Sequence, residues 1–299
     1  MMKLMIPERI LLDGPTGTEL QRRGFDTHLP LWSARALVEA PELVRQIHLE
    51  YIQAGADIIT TNSFRTNRRV LERAGYSQKD AEDLTHLSIE LARKAVAISG
   101  REDVLIAGSD APVEDCYSPD LVPIDGELFQ EHEEHIRWLV EGGCDLLLLE
   151  TMNTLREAEA ACRAASVFDL PFIVSLVTDP SGESILSGES LIEGASVLAG
   201  YEPMAILTNC SAPGAVLRAT GILADTKEKT GGDWKFGGYA NSGAPDPVLG
   251  WEFVRTVPVD KFVESVTQML QTGASLVGSC CGTTPEYTRE LAGVIKSWH

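Results

Sequence analysis

The chain has 299 residues, 44% of them hydrophobic and 23% charged, which is enough for a sizeable buried core in one large domain or two small ones. Its 44 acidic and 25 basic side chains give a formal net charge of −19. This balance argues against nucleic acid and anionic membrane surfaces as partners, because both attract proteins that present a basic face.

Eight short runs of aliphatic and β-branched residues recur along the chain. They are apolar throughout rather than alternating, which is typical of parallel strands that are buried on both faces. The runs occupy residues 9–14, 57–62, 104–109, 145–151, 172–177, 205–210, 236–241 and 275–280. We therefore predict eight strands of a parallel sheet.

Amphipathic helical patterns separate many of these runs. They cover residues 41–56, 80–97, 128–143, 154–166, 260–274 and 285–298. Strands that alternate with helices in this number predict an α/β fold, a single (β/α)8 TIM barrel over residues 1–299. The alternative is a doubly wound open sheet, which is disfavoured because no strand is followed by G-x-G-x-x-G and no P-loop is present.

The sequence contains no apolar run of the ~20 residues that a transmembrane helix requires, and residues 1–14 lack the features of a signal peptide. We therefore expect a cytoplasmic protein without a membrane partner, in which the six cysteines stay reduced. Clustered cysteines in a reducing compartment more often bind metal or take part in catalysis than form disulfides. The sequence leaves both a monomer and a homo-oligomer open.

Polar residues collect where the predicted strands end, which is where barrel enzymes place their active sites. These residues are Asp13, Asn62, Asp110, Glu150, Asn209, Cys210, Asn241, Cys280 and Cys281. Three thiolates at one barrel mouth with a fourth position open are the ligands of a catalytic zinc ion. Buried cysteines that only pack, or a vicinal redox pair, are the alternatives. Cys144 and Cys162 are interpreted as packing residues, whereas Cys116 is expected near the mouth without an assigned role.

Two other polar features can be interpreted from residue type and neighbouring sequence. Glu150 follows a fully apolar stretch, and because a buried carboxylate without a partner is costly, we expect it to meet a cation. That cation is either a substrate group or a neighbouring arginine. Residues 132–135, HEEH, do not have metal-ligand spacing and are expected on a solvated face of the third helix.

Several segments, spread over nearly the whole chain, resemble those of a known protein family. They read DGPTGTEL (13–20), GADIITTNSF (55–64), LLLETMNTLREAEAA (147–161), TNCS (208–211), YANSG (239–243) and GSCCGTTPE (278–286). In these segments the chain resembles the homocysteine S-methyltransferases, a family of zinc-dependent barrels. The resemblance implies an enzyme that methylates homocysteine to methionine, with Zn²⁺ held by Cys210, Cys280 and Cys281. Homocysteine and a methyl donor would be its small-molecule partners.

The resemblance also implies roles for individual residues. Backbone amides at Gly17 and Thr18 would bind the amino acid carboxylate, and Glu150 would bind the ammonium group. Asp13 would orient the first loop or line the donor side. The three asparagines would contact ligands or hold the cysteine loops; they are Asn62, Asn209 and Asn241.

The sequence indicates the methyl donor less directly than it indicates the methyl acceptor. The chain departs from relatives at Pro15, Thr16 and Ala240, near the expected donor side. A sulfonium donor, S-methylmethionine or S-adenosylmethionine, is expected because the 299 residues leave no room for a cobalamin module or a second folate barrel. Aromatic residues could bind such a cation, with candidates at Trp32, Phe64, Tyr117 and Trp251. Betaine, or a folate or corrinoid partner protein, is the alternative, and a non-enzymatic zinc or thiol-redox protein is the alternative of another class.

Overall fold

Eight parallel strands form the centre of the protein in a computed structural model that describes residues 8–243 and 257–298. The strands are β1 (Ile10–Leu11), β2 (Ile58–Thr60), β3 (Leu105–Asp110), β4 (Leu146–Met152), β5 (Phe172–Val177), β6 (Ala205–Asn209), β7 (Lys235–Ala240) and β8 (Leu276–Ser279). Each strand lies within two residues of its predicted run at either end, except that β1 is shorter.

Eleven α-helices surround these strands in the described part of the chain. They are α1 (Thr16–Arg22), α2 (Arg35–Glu39), α3 (Pro41–Ala54), α4 (Arg68–Arg73), α5 (Gln78–Ser99), α6 (Asp125–Glu141), α7 (Leu155–Ala165), α8 (Leu191–Ala199), α9 (Pro213–Thr230), α10 (Val259–Gln271) and α11 (Pro285–Ser297). Two short 3-10 helices lie at Trp32–Ala34 and Pro119–Leu121. Over the described residues, no helix is both long enough and apolar enough to cross a bilayer.

The strands close into a barrel. Neighbouring strands follow the order β1-β8-β7-β6-β5-β4-β3-β2, and a parallel bridge between Leu12 and Ile58 joins the two ends of that order. The predicted (β/α)8 barrel is therefore confirmed. The assignment of all residues 1–299 to one domain stays a prediction, since it includes segments outside the described residues.

The continuous apolar runs are explained by two cores on opposite sides of the strands. In β4, Leu146 and Leu148 belong to a cluster with Ile10 and Ile58 that fills the barrel interior. Leu147 and its equivalents pack instead against the surrounding helices. Because side chains alternate across a strand, residues of both parities must be apolar when both faces are buried. Cys210, Cys280 and Cys281 belong to the interior cluster, which places the site at the barrel mouth.

Helices α8 and α9 were not among the predicted helical patterns. A central glycine in α8 and several threonines and glycines in α9 weaken their intrinsic helix propensity. The N-terminal ends of both helices nevertheless carry residues from which the helices could have been predicted. Ser190 caps α8 by accepting a hydrogen bond from the Glu193 amide, and Pro213 occupies the first position of α9.

Candidate active site

Three cysteines from two strands meet at the barrel mouth. Cys210 directly follows β6, and Cys280 and Cys281 directly follow β8. Their Sγ atoms all lie within 4.8 Å of one another, and all three residues are buried. The Sγ atoms of Cys210 and Cys280 are 2.7 Å apart, longer than the ~2.05 Å of a disulfide bond. Three sulfurs so close together and otherwise free match the donor set of one zinc ion.

The backbone around the cysteines makes this convergence achievable. Cys210 has a left-handed backbone with φ of 50°, and its carbonyl oxygen accepts a hydrogen bond from Asn241 Nδ2 at 2.9 Å. Gly282, with φ of 81°, makes the sharp turn that lets two adjacent cysteines face one point. The amide of Gly282 donates to Thr18 Oγ1 at 3.0 Å, which ties this turn to α1.

The three thiols share their protons unequally. Hydrogen bonds from Cys280 and Cys281 lower the pKa of Cys210 well below its usual value. The interaction with Cys210 conversely raises the pKa of Cys280. The three thiols therefore do not ionise independently, and a metal ion that binds all three sulfurs would displace their remaining protons.

Glu150 lies in the same cavity as the cysteines, at the end of β4. Its Oε1 atom accepts a hydrogen bond from Ser109 Oγ at 2.5 Å, and its Oε2 atom accepts one from the Tyr239 hydroxyl at 3.3 Å. Burial raises the pKa of Glu150 to about 8. Within residues 8–243 and 257–298, no lysine or arginine forms an ion pair with it. The alternative of a neighbouring arginine therefore finds no support in this part of the chain, and a substrate cation stays the expected partner.

Asp13 and Gly17 also line this cavity. Asp13 accepts hydrogen bonds from the amide and hydroxyl of Thr60 at 2.8 and 3.0 Å, and burial raises its pKa to about 7. Gly17 lies in the first turn of α1. A Cβ atom there would come within 2.3 Å of the Trp32 ring, so only glycine allows this close packing.

Aromatic rings from three mouth segments also line the cavity. Trp32 and Phe64 pack edge to face with centroids 5.9 Å apart, and Tyr117 lies beside Cys210 with its hydroxyl 3.4 Å from the Cys210 carbonyl oxygen. Cys116 lines the same cavity, as expected, but is not part of the sulfur cluster. The fourth aromatic candidate, Trp251, lies outside the described residues.

Known proteins resemble this chain over almost its full length. A model of the homocysteine S-methyltransferase family matches residues 10–295. The chain belongs to the homocysteine S-methyltransferase family. It is 30% identical to a selenocysteine methyltransferase of Astragalus bisulcatus, over 96% of this chain and 92% of the relative. The homocysteine S-methyltransferase YbgG of Bacillus subtilis is 29% identical, over 96% and 95% of the two chains.

A solved structure of the family has the same architecture. The metallated form of the homocysteine methyltransferase MmuM from Escherichia coli superimposes with a TM-score of 0.83 and is 28% identical, over 96% of each chain. The family predicted from the sequence segments is therefore confirmed. The chain is accordingly an enzyme of the methyltransferase class, and the non-enzymatic alternative is set aside.

Four residues expected to contact substrate in this family have protein partners here. Asn62 lines the cavity, but its Nδ2 atom donates to the Ser33 carbonyl oxygen at 2.9 Å. Asn209 and Asn241 are fully buried and hold backbone or side chains of neighbouring strands, and Thr18 accepts from the cysteine turn. Contacts of these residues with substrate stay predictions, whereas Asn241 and Thr18 visibly hold the segments that carry the cysteines.

The residues that hold Glu150 escaped the sequence analysis. Ser109 lies in β3, next to β4, and Tyr239 lies in β7, three strands away around the barrel. They are separated from Glu150 by 41 and 89 residues in the sequence. Their strand positions carried the only available signal. Each comes next to the carboxyl end of its strand, where a side chain that points inward reaches the barrel mouth.

The interpretation of residues 132–135 as a solvated face was wrong for the two histidines, whereas the two glutamates between them are partly exposed. His132 and His135 are buried on the inner side of α6, and the Nδ1 atom of each donates to Asp110, at 2.7 and 2.8 Å. His132 Nε2 also lies 3.6 Å from Glu157 Oε1. Burial by itself would lower the pKa of His132, but the two carboxylates outweigh it and raise the pKa to about 10. Asp110 thus anchors α6 to β3 through a buried ion pair.

This ion pair predicts a pH-dependent stability. Because the folded pKa of His132 is about 10, above the ordinary 6.5, its contribution is complete below pH 6.5 and is lost as the pH rises through about 10. We expect the free energy of unfolding to fall between pH 7 and 10, and His132→Gln to remove on the order of 3–5 kcal/mol at pH 7. Urea unfolding of both proteins across this range measures the effect. Equal pH slopes for the two proteins would contradict it.

Proposed function

We propose that this enzyme transfers a methyl group from a sulfonium donor, S-methylmethionine or S-adenosylmethionine, to the thiolate of homocysteine, giving methionine. The observation that carries the proposal is that the Cys210–Cys280–Cys281 cluster shares one cavity with Glu150, a carboxylate that forms no ion pair within the described residues. A thiol ligand site and a site for an ammonium group are the two features that homocysteine requires. The names of the relatives from Bacillus subtilis and Escherichia coli support this acceptor.

The donor set supports zinc as the metal. Three cysteinates are the soft ligands that zinc accepts in a site with one open position, and the Escherichia coli relative was solved in a metallated form. When bound, zinc would supply a Lewis acid that lowers the pKa of the substrate thiol near neutral pH. The electron-rich thiolate set suits alkylation of sulfur rather than activation of water, for which neutral histidine ligands are usual.

Glu150 would hold the amino end of homocysteine in this arrangement. Its carboxylate accepts hydrogen bonds from Ser109 and Tyr239, which orient it, and a substrate ammonium group would supply the countercharge. Both hydroxyl donors and the surrounding walls exclude water from the ion pair, which strengthens it. The short chain between the amino and thiol groups of homocysteine would then direct its sulfur toward the cysteine cluster.

The aromatic wall supports a cationic donor. Trp32, Phe64 and Tyr117 could bind a sulfonium group by cation–π contact. In the transfer step the donor S–CH3 bond breaks, its electron pair stays on the donor sulfur as a neutral thioether, and a new bond joins the methyl group to homocysteine sulfur. Opposite charges cancel in this step, so a pocket with little water favours it. We place the reaction in the cytoplasm, where the thiols stay reduced.

A panel of methyl donors tests the proposal. We expect the zinc-loaded protein to form methionine from homocysteine with S-methylmethionine or S-adenosylmethionine, more slowly or not at all with glycine betaine, and not with free methyl-folate. The measurement is methionine formed per enzyme over time. Turnover with methyl-folate and none with either sulfonium compound would overturn the donor assignment. If no methionine forms with any donor, whether or not a partner protein is added, the assignment of homocysteine as the methyl acceptor would be overturned as well.

A further inference from the structure

Thr151, the residue after Glu150, has an unusual backbone. Its φ is 63°, in the left-handed region that β-branched residues rarely adopt. The register between β4 and β5 shifts at this point, between Leu149 and Met152, so the strand carries an irregularity where Thr151 turns. A conformation of this kind persists only where the surroundings hold it in place. The contacts of the Thr151 side chain indicate what it is held for.

Hydrogen bonds determine where the Thr151 hydroxyl proton points. Asn209 Oδ1 accepts from the Thr151 amide at 3.2 Å and from Ser175 Oγ at 2.7 Å, so this end of the Asn209 side chain is the carbonyl oxygen. Asn209 Nδ2 therefore donates to Thr151 Oγ1, at 2.8 Å. Because that oxygen is already an acceptor, its own proton is directed to its other neighbour, Cys210 Sγ, at 3.8 Å.

The position of Thr151 limits how it can act. It is fully buried and does not line the cavity, so neither water nor substrate can take the place of its hydroxyl. The Tyr117 hydroxyl approaches Cys210 from the cavity side, whereas Thr151 approaches from within the barrel wall. Any effect of Thr151 on the reaction must therefore pass through the Cys210 sulfur.

We infer that Thr151 is a positioning residue that donates a hydrogen bond to the Cys210 thiolate and, oriented by Asn209, sets how strongly this sulfur donates to the metal. The inference rests on the proposed zinc site. A hydrogen bond to a ligating sulfur fixes its direction, which favours metal binding, and withdraws electron density from it, which raises the energy of its charge-transfer transition to the metal. Residues that hydrogen-bond to the metal ligands tune both the affinity and the electronic properties of a metal site.

Matched variants separate this role from a merely structural one. Thr151→Val removes the hydroxyl and keeps the shape, Thr151→Ser keeps the hydroxyl, and Thr151→Ala serves as a second hydroxyl-free variant if the valine protein does not fold. Thr208→Val is the control. Its Oγ1 atom is equally buried in β6, the strand that leads to Cys210, and has no hydrogen-bond partner among the residues the structure describes.

Two measurements read out the metal site without the methyl-transfer reaction. Competition with a chromophoric chelator should show zinc binding weakened ~10–100-fold in Thr151→Val and Thr151→Ala, with Thr151→Ser and Thr208→Val close to wild type. In the cobalt-substituted proteins, the sulfur-to-cobalt charge-transfer band should move to lower energy in the hydroxyl-free variants alone. Unchanged affinity and band position in both hydroxyl-free variants would overturn the inference and leave the proposed function intact. A wild-type protein that binds neither ion would overturn the zinc site and this inference together.

Discussion

Replacing Cys210 with serine is expected to remove zinc from the protein and, with it, methyl transfer. Two remaining thiolates and a hydroxyl, which does not ionise near neutral pH, form a much poorer site than three thiolates. We expect metal content to fall from about one zinc ion per chain to a small fraction of that, and activity to fall by more than the ~10–100-fold typical of changes beyond the ligands. Cys280→Ser and Cys281→Ser should behave alike, because the three sulfurs form one cluster.

Two other cysteines provide controls for this experiment. Cys116→Ala changes a thiol that lines the same cavity but lies outside the cluster, and Cys162→Ala changes a thiol buried in α7. Metal analysis of both variants should give the zinc content of the wild type. Full zinc retention in Cys210→Ser, with the fold intact by circular dichroism, would refute the ligand assignment.

Replacing Glu150 with glutamine should weaken homocysteine binding and leave zinc in place. Glutamine can still meet Ser109 and Tyr239, but it cannot neutralise an ammonium group. Loss of one partner from a desolvated charge pair costs on the order of 2–5 kcal/mol. At ~1.4 kcal/mol for each factor of ten, this corresponds to a loss of tens- to thousands-fold in affinity. Calorimetry with homocysteine on the zinc-loaded proteins measures it.

A substrate analogue makes the Glu150 experiment specific for the ammonium group. 4-Mercaptobutanoate, which lacks the amino group of homocysteine, should bind the wild-type protein about as weakly as homocysteine binds Glu150→Gln. It should lose little further affinity in the variant, because the two changes remove the same interaction. Additive losses from the two changes would show that Glu150 does not contact the ammonium group, and would return it to a purely structural role.

The amino-acid sequence by itself determined the barrel and the meeting of the three cysteines that we propose as metal ligands. Strands buried on both faces must be apolar throughout, so all eight strands were visible as continuous runs. Carboxyl ends of parallel strands meet at one mouth, and this rule alone brought Cys210 together with Cys280 and Cys281 across 70 residues. Glu150 was found in the same way, because a carboxylate that ends an apolar strand requires a partner.

Only the tertiary structure decided how polar side chains pair around the site. Asp110 and the histidines of α6 looked unrelated in the sequence, yet the strand directs Asp110 outward, where it meets His132 and His135 beneath the helix. Asn209 was expected to contact a ligand or to hold a cysteine loop, and the structure shows its amide donating a hydrogen bond to Thr151. Such pairings depend on which face of a strand or helix each side chain takes, and on distances set by packing between elements far apart in the chain. Residue type and strand position specify where polar groups gather, and packing selects the partner of each one.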